Sequence, residues 1–131
     1  MYNNKKISLV IPCYNEERGL EAVLQNKPSF IDEVIIIDND SNDKTADVAK
    51  RCRATIIHEK ERGYGRAYQA GLPKAKGDII VMLDGDNSYS LPEAERLLSH
   101  MKTRQCDFVS GCRYPLINKN AQPLIKTPDY F

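Results

Sequence analysis

An apolar segment that stops abruptly at polar residues stands near the start of the chain. Residues 7–17 read ISLVIPCYNEE, in which a mainly apolar run gives way to proline and then to amide and acidic side chains. The same layout recurs in residues 34–43, VIIIDNDSND, and in residues 78–87, DIIVMLDGDN. Short apolar runs bounded by turn-forming residues are typical of buried strands. Each of these predicted strands therefore ends in carboxylate and amide groups.

Segments with helical spacing separate the strands. Strands that are apolar throughout and alternate with helices indicate a parallel sheet covered on both faces. Because crossover connections are right-handed, we predict an α/β fold with a doubly wound, mostly parallel sheet. In such sheets ligands bind beyond the carboxyl ends of the strands. The apolar spacing predicts helices around residues 20–24, 45–52, 64–72 and 91–101, and further strands at residues 53–58 and 107–111.

The composition excludes several classes of protein. A chain of 131 residues has room for one domain. Its 19 Lys and Arg against 18 Asp and Glu give a net charge of +1, which argues against a protein that binds nucleic acid through bulk positive charge. No aliphatic run is long enough to span a bilayer, and no signal-peptide pattern precedes the first strand, so we expect a cytoplasmic protein. The cysteines form no Cys-x-x-Cys pair, which argues against a zinc site.

The acidic strand ends predict a cation site. Carboxylates gathered at one edge of a sheet repel one another unless a divalent cation, a set of N–H donors, or both compensate them. Oxygen ligands without nearby His or Cys favour Mg²⁺ or Mn²⁺ over zinc. Asp84 and Asp86 are the most informative pair, because the chain turns there and both carboxylates can converge on one metal. The alternative is that these acids cap the next helix or face water.

Two further features point to a nucleotide. Tyr14 follows the first strand, where an aromatic ring either stacks on a nucleobase or packs at the rim of the core. Lys60, Arg62 and Arg66 bracket the glycines of residues 63–65 just before a predicted helix. Glycines allow close approach of a ligand, a helix start favours anions, and Arg binds diphosphate. A solvated basic loop is the alternative.

Taken together, these motifs resemble the glycosyltransferases of family 2, which have the GT-A fold. Residues 9–17, residues 37–45 and residues 63–86 are similar to three successive motifs of that family, including its D-x-D element. The most similar subgroup is the polyisoprenyl-phosphate sugar synthases, such as dolichyl-phosphate mannose and glucose synthases. The resemblance implies a nucleotide-sugar-binding GT-A half domain in residues 1–113, followed by an irregular or disordered tail in residues 114–131.

The resemblance also implies roles for individual residues. The donor would be a UDP- or GDP-sugar, held with Mg²⁺ or Mn²⁺. Tyr14 would lie near the base, Asp38 and Asn39 at the nucleobase and ribose, and Gly85 would leave room for the sugar. Asp84 and Asp86 would hold the metal, and Asn87 occupies a place that often assists the metal or sugar. The nucleotide-sugar site is expected to comprise Pro12, Tyr14, Glu16, Asp38, Asn39, Arg66, Asp84 and Gly85.

Two residues depart from the family pattern. Asn39 stands where the family usually has Asp, and Asp40 stands where it usually has Gly. An amide donates as well as accepts, so Asn39 would complement a uracil edge better than a guanine edge and favours UDP. Glycine at position 40 is usual because the turn needs a positive φ, which Asp tolerates better than most residues.

The implied reaction is metal-dependent sugar transfer, with inversion, to a polyisoprenyl phosphate or a saccharide. A hydroxyl acceptor needs a general base, and the sequence shows none: in this family the base and the acceptor-binding elements lie further downstream. We therefore expect a donor-binding half that transfers sugar poorly alone, that self-associates through its exposed edge, and that is at most peripheral at the inner membrane.

Three other interpretations remain open at this stage. The first is a non-catalytic nucleotide-sugar-binding or assembly module of the same shape. The second is a phosphatase of the haloacid dehalogenase type with Asp84 as nucleophile, although its downstream motifs need more residues than remain. The third is a dinucleotide-binding domain built on Gly63 and Gly65, in which Tyr68 stands where the motif requires a third glycine.

Overall fold

Parallel strands and intervening helices make up the computed structural model, which describes residues 1–111. The predicted alternation is confirmed up to residue 104, and the helices and strands begin and end within a few residues of the predicted positions. In chain order they are β1 (Ile7–Cys13), α1 (Glu17–Gln25), β2 (Glu33–Asp38), α2 (Thr45–Arg51), β3 (Thr55–His58), α3 (Tyr64–Gly71), β4 (Ile79–Met82) and α4 (Ala94–Arg104).

The sheet has four strands in the order β3-β2-β1-β4, and every neighbouring pair is parallel. β1 is central, with Val10 opposite Ile35 of β2 on one side and Met82 of β4 on the other. The chain therefore builds outward from β1 to β3 and then returns to the far side of β1. This reversal creates a topological switch point between β1 and β4, where doubly wound sheets bind ligands.

The core lies on the two faces of β1 and β2, whose side chains are almost completely buried. On one face, Val10, Ile35 and Ile37 pack against Ala67 and Tyr68 of α3. Alternate strand residues point to opposite faces, so the remaining side chains of β1 and β2 point away from α3. That second face is covered by α1 and α2, which pack against each other. Covering both faces fixes the strand register, since a one-residue slip would exchange them.

β4 differs from the strands at the centre. Ile80 is 40% exposed and Met82 is 48% exposed, so this strand is not buried on both faces as its apolar sequence predicts. Within residues 1–111 it has a strand partner on one side only, β1. An edge position removes the neighbour that would otherwise cover its side chains.

The predicted fifth strand is wrong. Residues 107–111 form no strand, and the side chain of Phe108 is 78% exposed. An apolar residue left mostly in water provides no packing surface that would favour strand formation. Proline also shifts two helix ends: Pro73 lies in a 3-10 turn, Leu72–Lys74, and Pro92 lies in another, Leu91–Glu93, so that α4 begins only at Ala94.

The whole sheet belongs to one compact unit, Met1–Ala94. A second unit starts at Glu95, and its described part is residues 95–111, which include α4 from its second residue onward. The boundary expected at residues 113–114 lies outside the described residues. None of the helices in residues 1–111 has the length and apolar composition needed to cross a membrane.

Candidate functional site

A cleft of about 300 Å³ opens at the switch point, where β1 and β4 end. It brings together most of the residues that the sequence predicts for the nucleotide-sugar site. Two of the predicted residues, Asp38 and Arg66, do not line it. The lining residues are Pro12, Cys13, Tyr14, Glu16, Asn39, Tyr64, Ala67, Asp84, Gly85 and Asp86.

The turn after β4 is held against the end of β1 by close backbone contacts. A Cβ atom added to Gly85 would lie 2.6 Å from Cys13 Sγ and 3.3 Å from Ile11 Cγ2. On the other side of the turn, a Cβ atom on Gly19 of α1 would lie 2.5 Å from the carbonyl oxygen of Gly85. Packing therefore explains the glycine at position 85, and its expected role toward the sugar stays a prediction.

Three of the residues that line the cleft, Glu16, Asp84 and Asp86, carry carboxylates. Burial raises the pKa of Glu16, and repulsion from Asp86, Asp43 and Asp84 raises it further. Asp86 Oδ1 accepts hydrogen bonds from the backbone N–H and the hydroxyl of Ser88, at 2.9 and 2.5 Å. Glu16, Asp84 and Asp86 are thus an oxygen-only donor set whose mutual repulsion a cation would relieve, which fits Mg²⁺ or Mn²⁺.

The protein side chains alone do not complete a metal site. Among the described residues, no group of three or more His, Cys, Asp or Glu side chains is placed so that it could hold a metal ion. This agrees with the way Mg²⁺ is commonly held, by one or two carboxylates together with water and substrate phosphates. Asn87 lies in the same turn with φ 60°, in the left-handed region, and its expected role stays a prediction.

Tyr64 is a site residue to which the sequence analysis gave no role. Its hydroxyl donates to Asp84 Oδ1 at 2.8 Å, and its ring meets that of Tyr68 edge to face, with centroids 5.0 Å apart. Burial raises the pKa of Tyr64, and the hydrogen bond to Asp84 acts in the same direction. Its position between two glycines at the start of a predicted helix is the sequence feature that could have pointed to a role at the site.

Cys13 is buried in the floor of the cleft and does not have the character of a reactive thiol. It is 2% exposed, and burial, together with the charges of Glu16 and Asp38, raises its pKa. The thiolate is the reactive form of cysteine, so a thiol held protonated in this way serves packing. Its sulfur lies where it limits the residue at position 85 to glycine.

The acidic end of β2 is compensated by N–H donors. The Asp43 carboxylate accepts hydrogen bonds from the Thr45 N–H at 2.9 Å, from the Thr45 hydroxyl and from the Glu17 N–H at 3.1 Å. Burial would raise the pKa of Asp43, but these hydrogen bonds outweigh burial and lower it. Asp43 therefore fastens the start of α2 to the start of α1 and has no need of a cation.

The segments that follow β1 and β2 are joined by several further hydrogen bonds. The Thr45 hydroxyl oxygen accepts from the Glu16 N–H at 3.0 Å, and Glu17 Oε2 accepts from the Lys44 N–H at 3.0 Å. Asn15 contributes in both directions: its N–H donates to Ser41 Oγ, and its Oδ1 accepts from the Asn42 N–H. These bonds set the position of Glu16 at the cleft.

Asp38 and Asn39 are turned inward at the end of β2. Asp38 is 6% exposed, and its carboxylate accepts from the Ser41 N–H at 3.1 Å and lies 3.2 Å from His58 Nδ1. The Asn39 amide donates to the carbonyl oxygens of Glu59 and Glu61. Both amide hydrogens are engaged, which corrects the interpretation of Asn39 as a donor to uracil and removes that reason to favour UDP. The positive φ expected at Asp40 is confirmed, at 65°.

The two arginines near Gly63 make different contacts. The guanidinium carbon of Arg62 lies 3.9 Å from the centroid of the Tyr14 ring, in a cation–π contact. Arg66, which the sequence places at the diphosphate, instead forms a salt bridge of 3.0 Å with Glu61, and both side chains are largely exposed. Arg62 is therefore the arginine that the structure brings to a predicted nucleotide residue.

This geometry can be compared with known proteins. Residues 8–123 match the family model described as glycosyl transferase family 2. The chain belongs to glycosyltransferase family 2. A relative in this family, RfbJ of Shigella flexneri, is 33% identical over 115 residues, which cover 86% of this chain and 89% of RfbJ. Human dolichyl-phosphate beta-glucosyltransferase is 33% identical over 112 residues, which cover 71% of this chain and 35% of that protein.

Solved structures of other proteins share the fold. Glucosyl-3-phosphoglycerate synthase from Mycobacterium tuberculosis superposes with a TM-score of 0.66 at 27% identity, over 75% of this chain and 40% of that chain. One of its structures contains Mn²⁺, uridine diphosphate and glucosyl-3-phosphoglycerate, and another contains Mg²⁺ and uridine diphosphate. This family 2 chain therefore spans most of RfbJ but less than half of the two larger proteins.

The family assignment has two consequences. The GT-A-like α/β fold is confirmed, and the relatives and structural neighbours of this family 2 chain are transferases that act on sugars. The match also excludes the phosphatase and dinucleotide-binding interpretations, since the motifs on which they rest, around Gly63 and Asp84, lie inside the glycosyltransferase match.

Proposed function

We propose that the chain binds a nucleoside-diphosphate sugar, UDP- or GDP-linked, together with Mg²⁺ or Mn²⁺, and presents the sugar for transfer to an acceptor with inversion at the anomeric carbon. The observation that carries this proposal is the cleft between β1 and β4, in which Glu16, Asp84 and Asp86 converge. Complexes of the structural neighbour with uridine diphosphate and either metal support the same ligand class.

Asp84 and Asp86 are the residues that would hold the metal, with Glu16 close enough to repel both when no cation is bound. When bound, a divalent cation supplies Lewis-acid stabilisation of the charge on the departing diphosphate. The chain itself orients these groups: Tyr64 holds Asp84 by a hydrogen bond of 2.8 Å, and Ser88 holds Asp86. Such preorganisation lowers the reorganisation needed when charge develops.

The nucleoside would lie toward Tyr14 and Pro12 at the end of β1. Tyr14 is 40% exposed and lines the cleft, and Arg62 lies over one face of its ring. Base stacking on an aromatic side chain is worth about 1–3 kcal/mol in single-stranded nucleic-acid complexes. Asp38 and Asn39 would support this region from behind, through the loops that they hold.

The acceptor we propose is a polyisoprenyl phosphate or a saccharide. A phosphate acceptor is already anionic and needs no general base, whereas a hydroxyl acceptor does. Similarity to dolichyl-phosphate beta-glucosyltransferase supports a lipid phosphate, and with it a cytoplasmic location that is peripheral to the membrane. We also propose self-association through β4, whose Ile80 and Met82 are exposed; light scattering that shows only monomer would contradict this.

A second candidate is a non-catalytic nucleotide-sugar-binding or assembly module. Turnover separates the two candidates. Release of free sugar or sugar transfer from UDP-glucose or a GDP-sugar in the presence of Mn²⁺ supports the enzyme, and metal-dependent binding without turnover supports the module.

Calorimetry with UDP, GDP and ADP, each with and without Mn²⁺, tests the binding proposal. We expect UDP or GDP to bind only in the presence of the metal, and Asp86→Ala to weaken that binding about 10- to 100-fold. Asp107→Ala, which changes an exposed acid outside the cleft, serves as the control. Equal binding of all three nucleotides without metal would contradict the proposal.

A further inference from the structure

The side chain of Asn39 is fully occupied by a single loop. Its Nδ2 group donates to the carbonyl oxygens of Glu59 and Glu61, at 2.8 and 2.9 Å, and its Oδ1 accepts from the Gly63 N–H at 3.0 Å. Asn39 itself is 7% exposed and lies at the end of β2. Donor and acceptor are both matched, so one buried side chain fixes the backbone of residues 59–63 at three points.

Only an amide can make this set of contacts. A carboxylate at position 39 would keep the acceptor for the Gly63 N–H but has no hydrogen to donate. The carbonyl oxygens of Glu59 and Glu61 would then face a negative charge in a partly buried place, where unpaired polar groups are costly. The departure from Asp at this position therefore has a structural use in this chain.

The loop that Asn39 holds carries Arg62 to the cleft. The Arg62 guanidinium lies 3.9 Å from the Tyr14 ring centroid, and Tyr14 lines the cleft. Two further features fix the conformation of the loop. The Glu61 N–H donates to Glu59 Oε1 at 2.8 Å, and Gly63, directly before α3, has φ 145°, a conformation that L residues rarely adopt. Release of the loop would thus free Arg62 from Tyr14.

We propose that Asn39 is a positioning residue: it holds the loop of residues 59–63, and through it Arg62, against Tyr14, and so preorganises the nucleoside end of the cleft. The proposal rests on the proposed nucleotide-binding function for its effect on affinity, but not for the loop contacts themselves. It assigns Asn39 a role toward the loop and not toward the base, and it makes Arg62 part of the nucleotide site.

The test combines hydrogen exchange with calorimetry on the full chain. For Asn39→Asp we expect the amides of residues 59–63 to exchange at least about tenfold faster. We also expect affinity for UDP and GDP, with Mn²⁺, to fall about three- to fivefold for both, the size of a lost cation–π contact. Arg62→Ala should lower affinity equally while the amides stay protected. In the double variant the two losses should not add, because both remove one contact.

Asn42→Asp is the matched control, because it makes the same chemical change at an exposed residue of the next turn, whose backbone N–H donates to Asn15 Oδ1. We expect it to leave loop exchange and affinity unchanged. The proposal is overturned if Asn39→Asp leaves exchange in residues 59–63 as in the wild type, or if it alters the preference between UDP and GDP instead of weakening both. Wild-type protein that binds neither nucleotide would refute the proposed function, and the exchange comparison would still decide whether Asn39 holds the loop.

Discussion

The ends of β2 and β4 have similar sequences and different uses. Both are rich in Asp and Asn, and both follow a buried or half-buried apolar strand. After β2, Asp43 is bonded to N–H and O–H groups of Thr45 and Glu17, and its pKa is lowered. After β4, Asp84 and Asp86 line a cleft and raise the pKa of Glu16. Asp43 thus stabilises the scaffold, whereas Asp84 and Asp86, although each accepts hydrogen bonds, lie at a cleft beside a third carboxylate, where we propose that a ligand binds.

The turn after β4 approaches Gly19 of α1 closely. Replacement of this glycine is therefore expected to have the largest effect on stability. A methyl group in Gly19→Ala would lie 2.5 Å from the Gly85 carbonyl oxygen and 2.8 Å from Asp86 Cα, both backbone atoms. We expect a loss of about 3 kcal/mol in the free energy of unfolding, at the upper end for overpacking, measured by urea denaturation. Gly65→Ala is the matched control in α3, with no atom within 4 Å, and should be neutral or stabilising.

Asp86→Ala tests whether the end of β4 serves ligand binding more than stability. We expect Mn²⁺-dependent affinity for UDP or GDP to fall about 10- to 100-fold, as for the loss of a metal-site residue. The free energy of unfolding should change little, because the Asp86 carboxylate accepts hydrogen bonds from Ser88, two positions along the chain. Calorimetry and urea denaturation of the same variant check both parts. A large loss of stability with intact binding would reverse the roles assigned to the two regions.

Asp43→Ala tests whether the acidic end of β2 stabilises the fold. It removes the acceptor for the N–H groups of Thr45 and Glu17, and we expect a loss of about 2 kcal/mol in the free energy of unfolding. The pH dependence has a defined sign. Because the folded-state pKa of Asp43 lies below its unfolded value, its contribution is complete above about pH 4 and is lost as the pH falls through the folded-state pKa. Denaturation curves of the wild type should show this acid loss, and those of the variant should show less of it.

Glu16→Gln is expected to have the smallest effect and the opposite sign. The pKa of Glu16 is raised in the folded state by burial and by Asp86, so the charged form opposes folding. Its contribution to stability is most favourable below the unfolded pKa and declines as the pH rises through the raised folded-state value. At pH 7 the neutral amide should stabilise the protein by about 0.5 kcal/mol while weakening metal-dependent nucleotide binding. A destabilised variant at pH 7 would show that the carboxylates do not repel one another.

Much of the fold was predictable because burial leaves a direct mark on the sequence. The runs that form β1 and β2 are apolar on both faces, and the helices carry apolar residues at positions that meet the sheet. The prediction failed where that link is weak. Residues 107–111 contain Phe108 and Val109 yet form no strand, since an apolar composition does not specify a pairing partner.

The site was predictable in its location and less so in its contacts. Strand ends and a switch point follow from the topology, so Tyr14, Glu16, Asp84 and Asp86 could be expected at one cleft. The roles of Asn39 and Tyr64 depend on hydrogen bonds to residues 20 or more positions away. Residue type and spacing do not reveal such partners, because an amide at a strand end serves a base, a loop or water equally well.

The metal and the nucleotide are expected to meet at the end of β4. Anomalous diffraction from crystals of the full chain grown with Mn²⁺ and UDP or GDP would locate the metal directly. We predict one strong Mn²⁺ peak about 2.1 Å from carboxylate oxygens of Asp84 or Asp86, with the diphosphate as its other ligand and the base beside Tyr14. A Mn²⁺ peak at Asp38 or Asp43 with none at the end of β4 would contradict the account.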